Sequence, residues 1–494
     1  MTGAVGSSLA ADVAAVAGLP PGRLVNAGLA PTPTDRRSWN AWHLSALWVG
    51  MSVCIPTYML AASMIEAGMT WWQSLVVIFL GNAIVLVPLV INGHAGTRFG
   101  IPFPVYARAS YGHDGAHIPS LARSIVACGW FGIQTWIGGL AIHALLGLLW
   151  PAWTRIGGEW SFMGYGPGHY ASFLLFWLIN VYFVWAGTES IKWLETLAAP
   201  FLIAMGLALL WWAVRSVGGL GTILHESGAM SRAATSRTGL ESSLRLFLPW
   251  LTAMVGFWAT VSLNIPDFTR YARSQKDQVI GQTLGLLVTM PLFSFIGIAV
   301  TGATMILYGE AIWNPVDLLV RMSAEGGALI GLVSLFVIIV ATLSTNIAAN
   351  VVAPANSFSN LKPDRIGFRL GGLIAALLGI LIFPWKLLDL YQTWLISYSG
   401  FLGAVSGVIV VDYVLVRRGR LDLRGLYTEG SVYAYGGGVN RHAVSATLAG
   451  FAIVFLGLLV PGLRFLFDGA WFSATIAAAV VYGWLMRERA GVSA

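Results

Sequence analysis

Two apolar stretches of this sequence carry the same interruption: a Trp, six residues, then Ile-Pro. The first runs from Trp48 to Pro56 and includes Gly50, Val53 and Cys54. The second runs from Trp258 to Pro266, with Asp267 directly after it. Proline lacks an amide donor and clashes with the turn before it, so each interruption is expected to break a helix and free carbonyl oxygens. Inside hydrocarbon, freed carbonyls are tolerated only where they line a cavity or bind something. Oxygens of that kind suit a hard cation or a polar solute. A pair of Pro-interrupted spans in corresponding places of two halves points to a secondary transporter's binding site. The sequence offers no converging nucleophile–base set and no metal-ligand spacing, which argues against a membrane enzyme. Pore loops and charged rings of a channel are missing as well.

The elements that position these breaks are membrane helices. Hydrophobic residues make up 57% of the chain and charged residues only 10%, against roughly 25% charged in a soluble domain. Runs of roughly 20 apolar residues place twelve spans near 45–67, 73–92, 120–149, 171–187, 192–217, 244–266, 281–308, 328–353, 369–385, 389–416, 442–462 and 465–486. All but eight of the 28 Lys and Arg residues then fall on the side that holds the termini. Basic residues are retained in the cytoplasm, so both termini are expected there. The net charge of +7 follows from this topology, and no basic stripe suggests a nucleic-acid partner. Cys54 and Cys128 both lie in predicted spans, so no disulfide is expected.

If span one corresponds to span six, the first ten spans form two sets of five. An odd number per set inverts the second copy. The expected fold is therefore an all-α integral membrane protein with twelve helices: the 5+5 inverted repeat of the leucine-transporter fold, broken helices one and six, and two additional helices. The organisation expected is a cytoplasmic tail at 1–38, a permease core at 39–435, peripheral helices at 436–486 and a cytoplasmic tail at 487–494.

Several segments resemble nucleobase–cation symporter family 1. They are Asn92 to Val105 with Ala107 to Gly112, Gly129 to Trp136, Asn264 to Arg270, Ala341 to Asn350, and Asp412-Tyr413 followed by Val416 to Arg418. The resemblance covers about 39–435 and is closest to the allantoin and hydantoin permeases. It implies import of a planar heterocycle (allantoin, a hydantoin or a nucleobase) by cation symport, with no enzymatic activity. It also implies a substrate held between the indoles of Trp130 and Trp258, an arrangement that favours a flat conjugated ring. Gln134, four residues after Trp130, shares its helix face and can donate and accept towards a lactam or ureide edge. Asn350 is a second such contact. The plainer alternative is indoles in interfacial belts and amides bonding between helices. Cys54 departs from the polar side chain usual at the helix-one break. A thiol bonds weakly, so either the substrate carries an apolar group there, Ser52 or Asn264 compensates, or Cys54 only packs.

The resemblance further assigns a sodium site to the carbonyls of Gly50 and Val53 with Ala341, Ser344 and Thr345. The alternative for the two hydroxyls is bonding to their own helix. Protons are the other candidate coupling ion, with Asp267, Glu66, Glu195 and Asp412 as intramembrane acids. Asp267 is expected to pair with Arg270 or cap a half-helix, and His94 and His143 to be packing residues. No cofactor is expected beyond the coupling ion. The expected partners are the heterocycle and the lipid bilayer, the expected state a monomer, and the expected location a bacterial inner membrane. A same-fold carrier of amino acids and a non-transporting sensor are the rival readings.

Overall fold

The computed structural model describes residues 10–487 apart from 17, 21, 27, 187, 235–239 and 363–364; side chains within 188–199, 232–234 and 240–244, and those of 326, 327, 352 and 356, also stand outside the description. Glu195 and the outermost parts of both expected tails, 1–9 and 488–494, therefore lie outside the described residues. The first span is α1 (Ala41–Ser52) and α2 (Ile55–Glu66), bent by 58° at Val53-Cys54. Next come α3 (Trp71–Phe99), the short α4 (Phe103–Tyr111), α5 (His117–Leu149), α6 (Pro167–Ala186), α7 (Thr188–Val217) and α8 (Leu220–Ala234). The second half holds α9 (Leu240–Asn264), the single turn α10 (Pro266–Thr269), α11 (Gln275–Tyr308), α12 (Pro315–Met322), α13 (Ala328–Asn350), α14 (Val352–Leu361), α15 (Phe368–Leu381), α16 (Pro384–Asp389) and α17 (Tyr391–Val411). The last elements are α18 (Arg441–Leu459), α19 (Arg464–Asp468) and α20 (Ala470–Leu485).

Among the described residues, nine helices are long and apolar enough to cross a membrane, and two bent helix pairs bring this to eleven. The ninth expected span corresponds to α15, whose 14 residues make a rod of about 21 Å, short for a hydrocarbon core of about 30 Å. The two Pro motifs differ in outcome. Pro56 opens α2 in mid-span, whereas α9 runs unbroken through Trp258 to Asn264, and Pro266 closes it and starts one turn. Proline is accommodated at a first helical position, so the second motif acts as a helix end. The last span, read as continuous over 465–486, instead bends by 86° at Gly469. Helix α8 was not anticipated: its apolar stripe is interrupted by His225, Glu226 and Ser227, and the hydropathy of a span is not reached.

Close backbone approach sets the position of the helix-one break. Gly281 and Gly285 of α11 face α1, and a Cβ at Gly285 would stand 2.5 Å from the Trp48 Cβ. Small residues four apart let two membrane helices touch along their backbones, and here they seat Trp48, which is fully buried. The segments read as cytoplasmic share one end of the molecule. Arg37 donates to the Thr97 carbonyl at 2.9 Å, Arg270 to the Thr32 hydroxyl at 2.9 Å, and Tyr427 to the Leu29 carbonyl at 2.6 Å.

Candidate functional site

The bend between α1 and α2 releases specific oxygens. The amide of Cys54 donates to Ser52 (3.1 Å), not to Gly50 four residues before it; that of Thr57 donates to Cys54 (3.1 Å), not to Val53. Gly50 and Val53 thus lose the partners a continuous helix would supply, and open space lies where a Gly50 side chain would be. Helices α1 and α13 touch each other. On α13, Ala341, Ser344 and Thr345 are buried, and the Thr345 hydroxyl donates to the Ala341 carbonyl at 3.0 Å. Of the two hydroxyls, Thr345 thus makes the within-helix bond expected as the ordinary alternative. It uses the hydroxyl proton and leaves oxygen lone pairs on both groups, the donor chemistry a sodium ion requires.

Trp130, Gln134, Trp258, Asn350 and Cys54 are all buried. Trp130 and Trp258 each meet Phe257 edge-on, with ring centroids 5.0 and 4.9 Å away. Trp258 also meets Trp48 at 5.0 Å and 79°, and its Nε1 donates to the Met290 sulfur at 3.0 Å. Trp130 meets Trp394 at 4.9 Å and Tyr391 at 6.0 Å. Phe257, Trp48, Trp394 and Tyr398, which pack against the two candidate indoles, were not among the candidate residues read from the sequence. A signal existed: Tyr391, Trp394 and Tyr398 recur at helical spacing and so share a face of α17.

The polar groups divide into engaged and free. The Asn346 Nδ2 shares its two protons among the Phe131 carbonyl (3.2 Å), the Thr135 hydroxyl (3.1 Å) and the Asn180 amide oxygen (3.1 Å), joining α13 to α5 and α6, and Asn350 donates to Asn346 at 3.1 Å. One of the four hydrogen-bonding positions of the Asn350 amide is thereby used, and the rest remain for another group. The Cys54 sulfur lies 3.2 Å from the Thr57 hydroxyl, so it faces the first turn of its own helix. Gln134 differs. Its Oε1 is buried and has no hydrogen-bond partner in the protein, a state that costs about 1–3 kcal/mol unless something supplies a donor. The Ser52 hydroxyl and the Trp48 Nε1 are buried and unpartnered in the same way.

The acids are placed differently from expectation. Asp267 accepts from the Phe103 amide at 2.7 Å and Asn264 at 3.4 Å, while Arg270 turns to Thr32 and to the carbonyls of Gly28 (3.0 Å) and Ala30 (3.4 Å). Of the two roles expected of Asp267, the contact with Arg270 is not formed, because the N-terminal segment occupies the guanidinium; the capping role is taken at α4, whose first residue, Phe103, donates its amide to the carboxylate. Asp412 is held by Arg417 at 2.7 Å, Ser110 at 3.0 Å and Tyr482 at 2.8 Å. Glu66 is exposed. His94 bonds Tyr413 at 2.7 Å. His143 is not alone: its ring stacks on His169 at 3.8 Å, a neighbour too distant in sequence for spacing to reveal. Both cysteines are free and buried.

Residues 31–473 match the family described as permease for cytosine/purines, uracil, thiamine, allantoin. The chain belongs to this permease family. The permease is 42% identical over 486 residues to a purine-uracil permease of Arabidopsis thaliana, covering 95% of this chain and 78% of the relative. It is 39% identical over 468 residues to an allantoin permease of Bacillus subtilis, covering 94% of each. Among solved structures it is similar to Mhp1, a nucleobase-cation-symport-1 family transporter in a closed conformation with bromovinylhydantoin bound. That likeness has a TM-score of 0.76 and 27% identity, and covers 95% of this chain and 96% of the other. The permease therefore has the all-helical leucine-transporter fold that the repeat in the sequence implied, carried by the elements described above.

Proposed function

We propose that this permease imports a planar nitrogen heterocycle, of the allantoin, hydantoin or nucleobase class, by cation symport and alternating access. The observation that carries this reading is the unpartnered Gln134 oxygen, buried one helical turn after Trp130, whose indole packs among Phe257, Tyr391 and Trp394. A lactam or ureide N–H satisfies that oxygen. A flat ring also gains from burial between aromatic faces, which a flexible aliphatic solute does not match. The binding of such compounds by relatives named for purines, uracil and allantoin supports the same class.

Sodium is the coupling ion this reading favours, held by the freed carbonyls of Gly50 and Val53 with Ala341, Ser344 and Thr345. These ligands span α1 and α13, so binding ties the helix-one break to the opposite repeat and stabilises the neighbouring substrate site by the usual coupling of about 1–3 kcal/mol. The protein acts as a monomer in a cell inner membrane, with both termini cytoplasmic, a sidedness that the distribution of basic residues supports.

The test is the thermal unfolding midpoint of the purified protein with allantoin, hydantoins, uracil, cytosine, purines and amino acids, in sodium and in potassium. A ligand at 100 times its dissociation constant stabilises by about 2.7 kcal/mol. A shift with one heterocycle, larger in sodium, is the expected result. Shifts with amino acids alone overturn the proposed pocket.

A further inference from the structure

At the end of the molecule where the N-terminal segment, α4 and the close of α14 meet lies a cavity of about 550 Å³, apart from the substrate site. Its innermost wall is Arg108, 1% exposed. Nη1 of Arg108 donates to the carbonyls of Leu24 (3.0 Å) and Leu426 (2.9 Å), and Nη2 lies 3.5 Å from the Asn360 amide oxygen. These acceptors are neutral; beyond them the guanidinium meets the face of the Tyr427 ring at 5.6 Å and the field of Asp114, a carboxylate it shares with Arg23. Its Nε is buried and has no partner, and the same holds for the Nδ1 of His117 on the adjoining wall. Arg23 and Lys362 stand exposed among the lining residues. The one carboxylate of the lining, Asp114, is taken by Arg23.

A buried cation is costly unless an anion or a full set of acceptors accompanies it. We infer that this cavity binds a phosphate group, held by the charges of Arg108, Arg23 and Lys362, with the exposed Lys362 ammonium donating to its oxygens. Phosphate suits the set because it offers several charged acceptor oxygens to donors that converge from different elements. The group is either the headgroup of an acidic phospholipid at the inner membrane surface or a free phosphate. Bound there, it bridges residues 22–26, α4 of the first repeat and α14 of the second. It would therefore hold in place elements that alternating access has to separate. The binding itself stands independently of the transported substrate.

The experiment compares wild type with an Arg23→Gln/His117→Gln/Lys362→Gln variant and with Lys362→Gln alone. Arg108 is left intact because it ties three segments together. Thermal midpoints are measured in potassium phosphate against potassium chloride at equal ionic strength. They are measured again in nanodiscs of phosphatidylcholine with and without phosphatidylglycerol. A concentration-dependent rise in wild type that the triple variant loses, and the single variant weakens, is the expected result. Loss of the phosphate response assigns the site to the free anion, and loss of the phosphatidylglycerol response assigns it to a headgroup. If wild type responds to neither, or the variants keep the full response, the site is overturned.

Discussion

The Trp130 indole donates its N–H to the Tyr398 hydroxyl at 3.2 Å, and Tyr398 passes its own proton to the Gly256 carbonyl at 2.8 Å. The chain of two bonds fixes the Trp130 indole on α5 to α17 and to α9, immediately before Phe257 and Trp258. The orientation of Trp130 is therefore set by a residue with no sequence proximity to it.

Replacing Tyr398 with Phe keeps the ring and removes both bonds. One buried group, the indole N–H, is then left unpaired, at about 1–3 kcal/mol, while the Gly256 carbonyl keeps its helical partner within α9. The expected outcome is a lower unfolding midpoint together with weaker substrate binding. A variant that binds and unfolds like wild type would remove Tyr398 as the positioning residue.

Gln134→Leu separates a binding role from a structural one. The substitution deletes a buried oxygen that has no partner in the protein, so the unliganded protein should unfold at the same temperature or higher. Substrate affinity should fall by about five- to hundredfold, the equivalent of one lost hydrogen bond to a buried group. Isothermal titration with the best heterocycle measures it. Loss of stability with unchanged affinity would place Gln134 in the scaffold.

Ser344→Ala with Thr345→Ala removes two candidate ion ligands, whereas Thr345→Ser keeps the hydroxyl. Uptake should lose its dependence on sodium in the double variant and keep it in the single one. The measurement is initial uptake rate against sodium concentration. An unchanged curve in the double variant contradicts the assigned ion site.

Gly285→Val tests how the helix-one break is positioned. Its Cβ would enter the Trp48 side chain at 2.5 and 3.0 Å, with no space for α1 to retreat without leaving α11. Overpacking of this kind costs typically about 1–3 kcal/mol. Reduced thermal stability and reduced uptake are expected together. Wild-type behaviour would mean that the contact between α1 and α11 is not tight.

Most span positions were readable because long apolar runs act along the sequence; the ninth, at the 14-residue α15, and the last, bent at Gly469, differ from that reading. The helix-one break was readable for the same reason, since a proline in mid-span has a local effect. What was not readable depends on contacts between distant segments. The same Ile-Pro motif ends α9 because only one turn follows it before the chain leaves for α11. Asp267 and Arg270, three residues apart, suggested a pair, but Thr32, Gly28 and Ala30 claim the arginine. The two candidate indoles came from the resemblance, and their settings among Phe257, Trp394 and Tyr398 needed the folded molecule. Asn350 was expected to point to substrate and is partly engaged through Asn346.

The central claim is that a planar heterocycle is carried between Trp130 and Trp258. The most direct test is accumulation of labelled allantoin, hydantoin and uracil in proteoliposomes under an inward sodium gradient, for wild type, Trp130→Ala and Trp258→Ala. Gradient-dependent accumulation of at least one of these compounds by wild type, and its loss in both variants while each remains folded in the bilayer, is the expected result. Wild-type accumulation in either variant would contradict it.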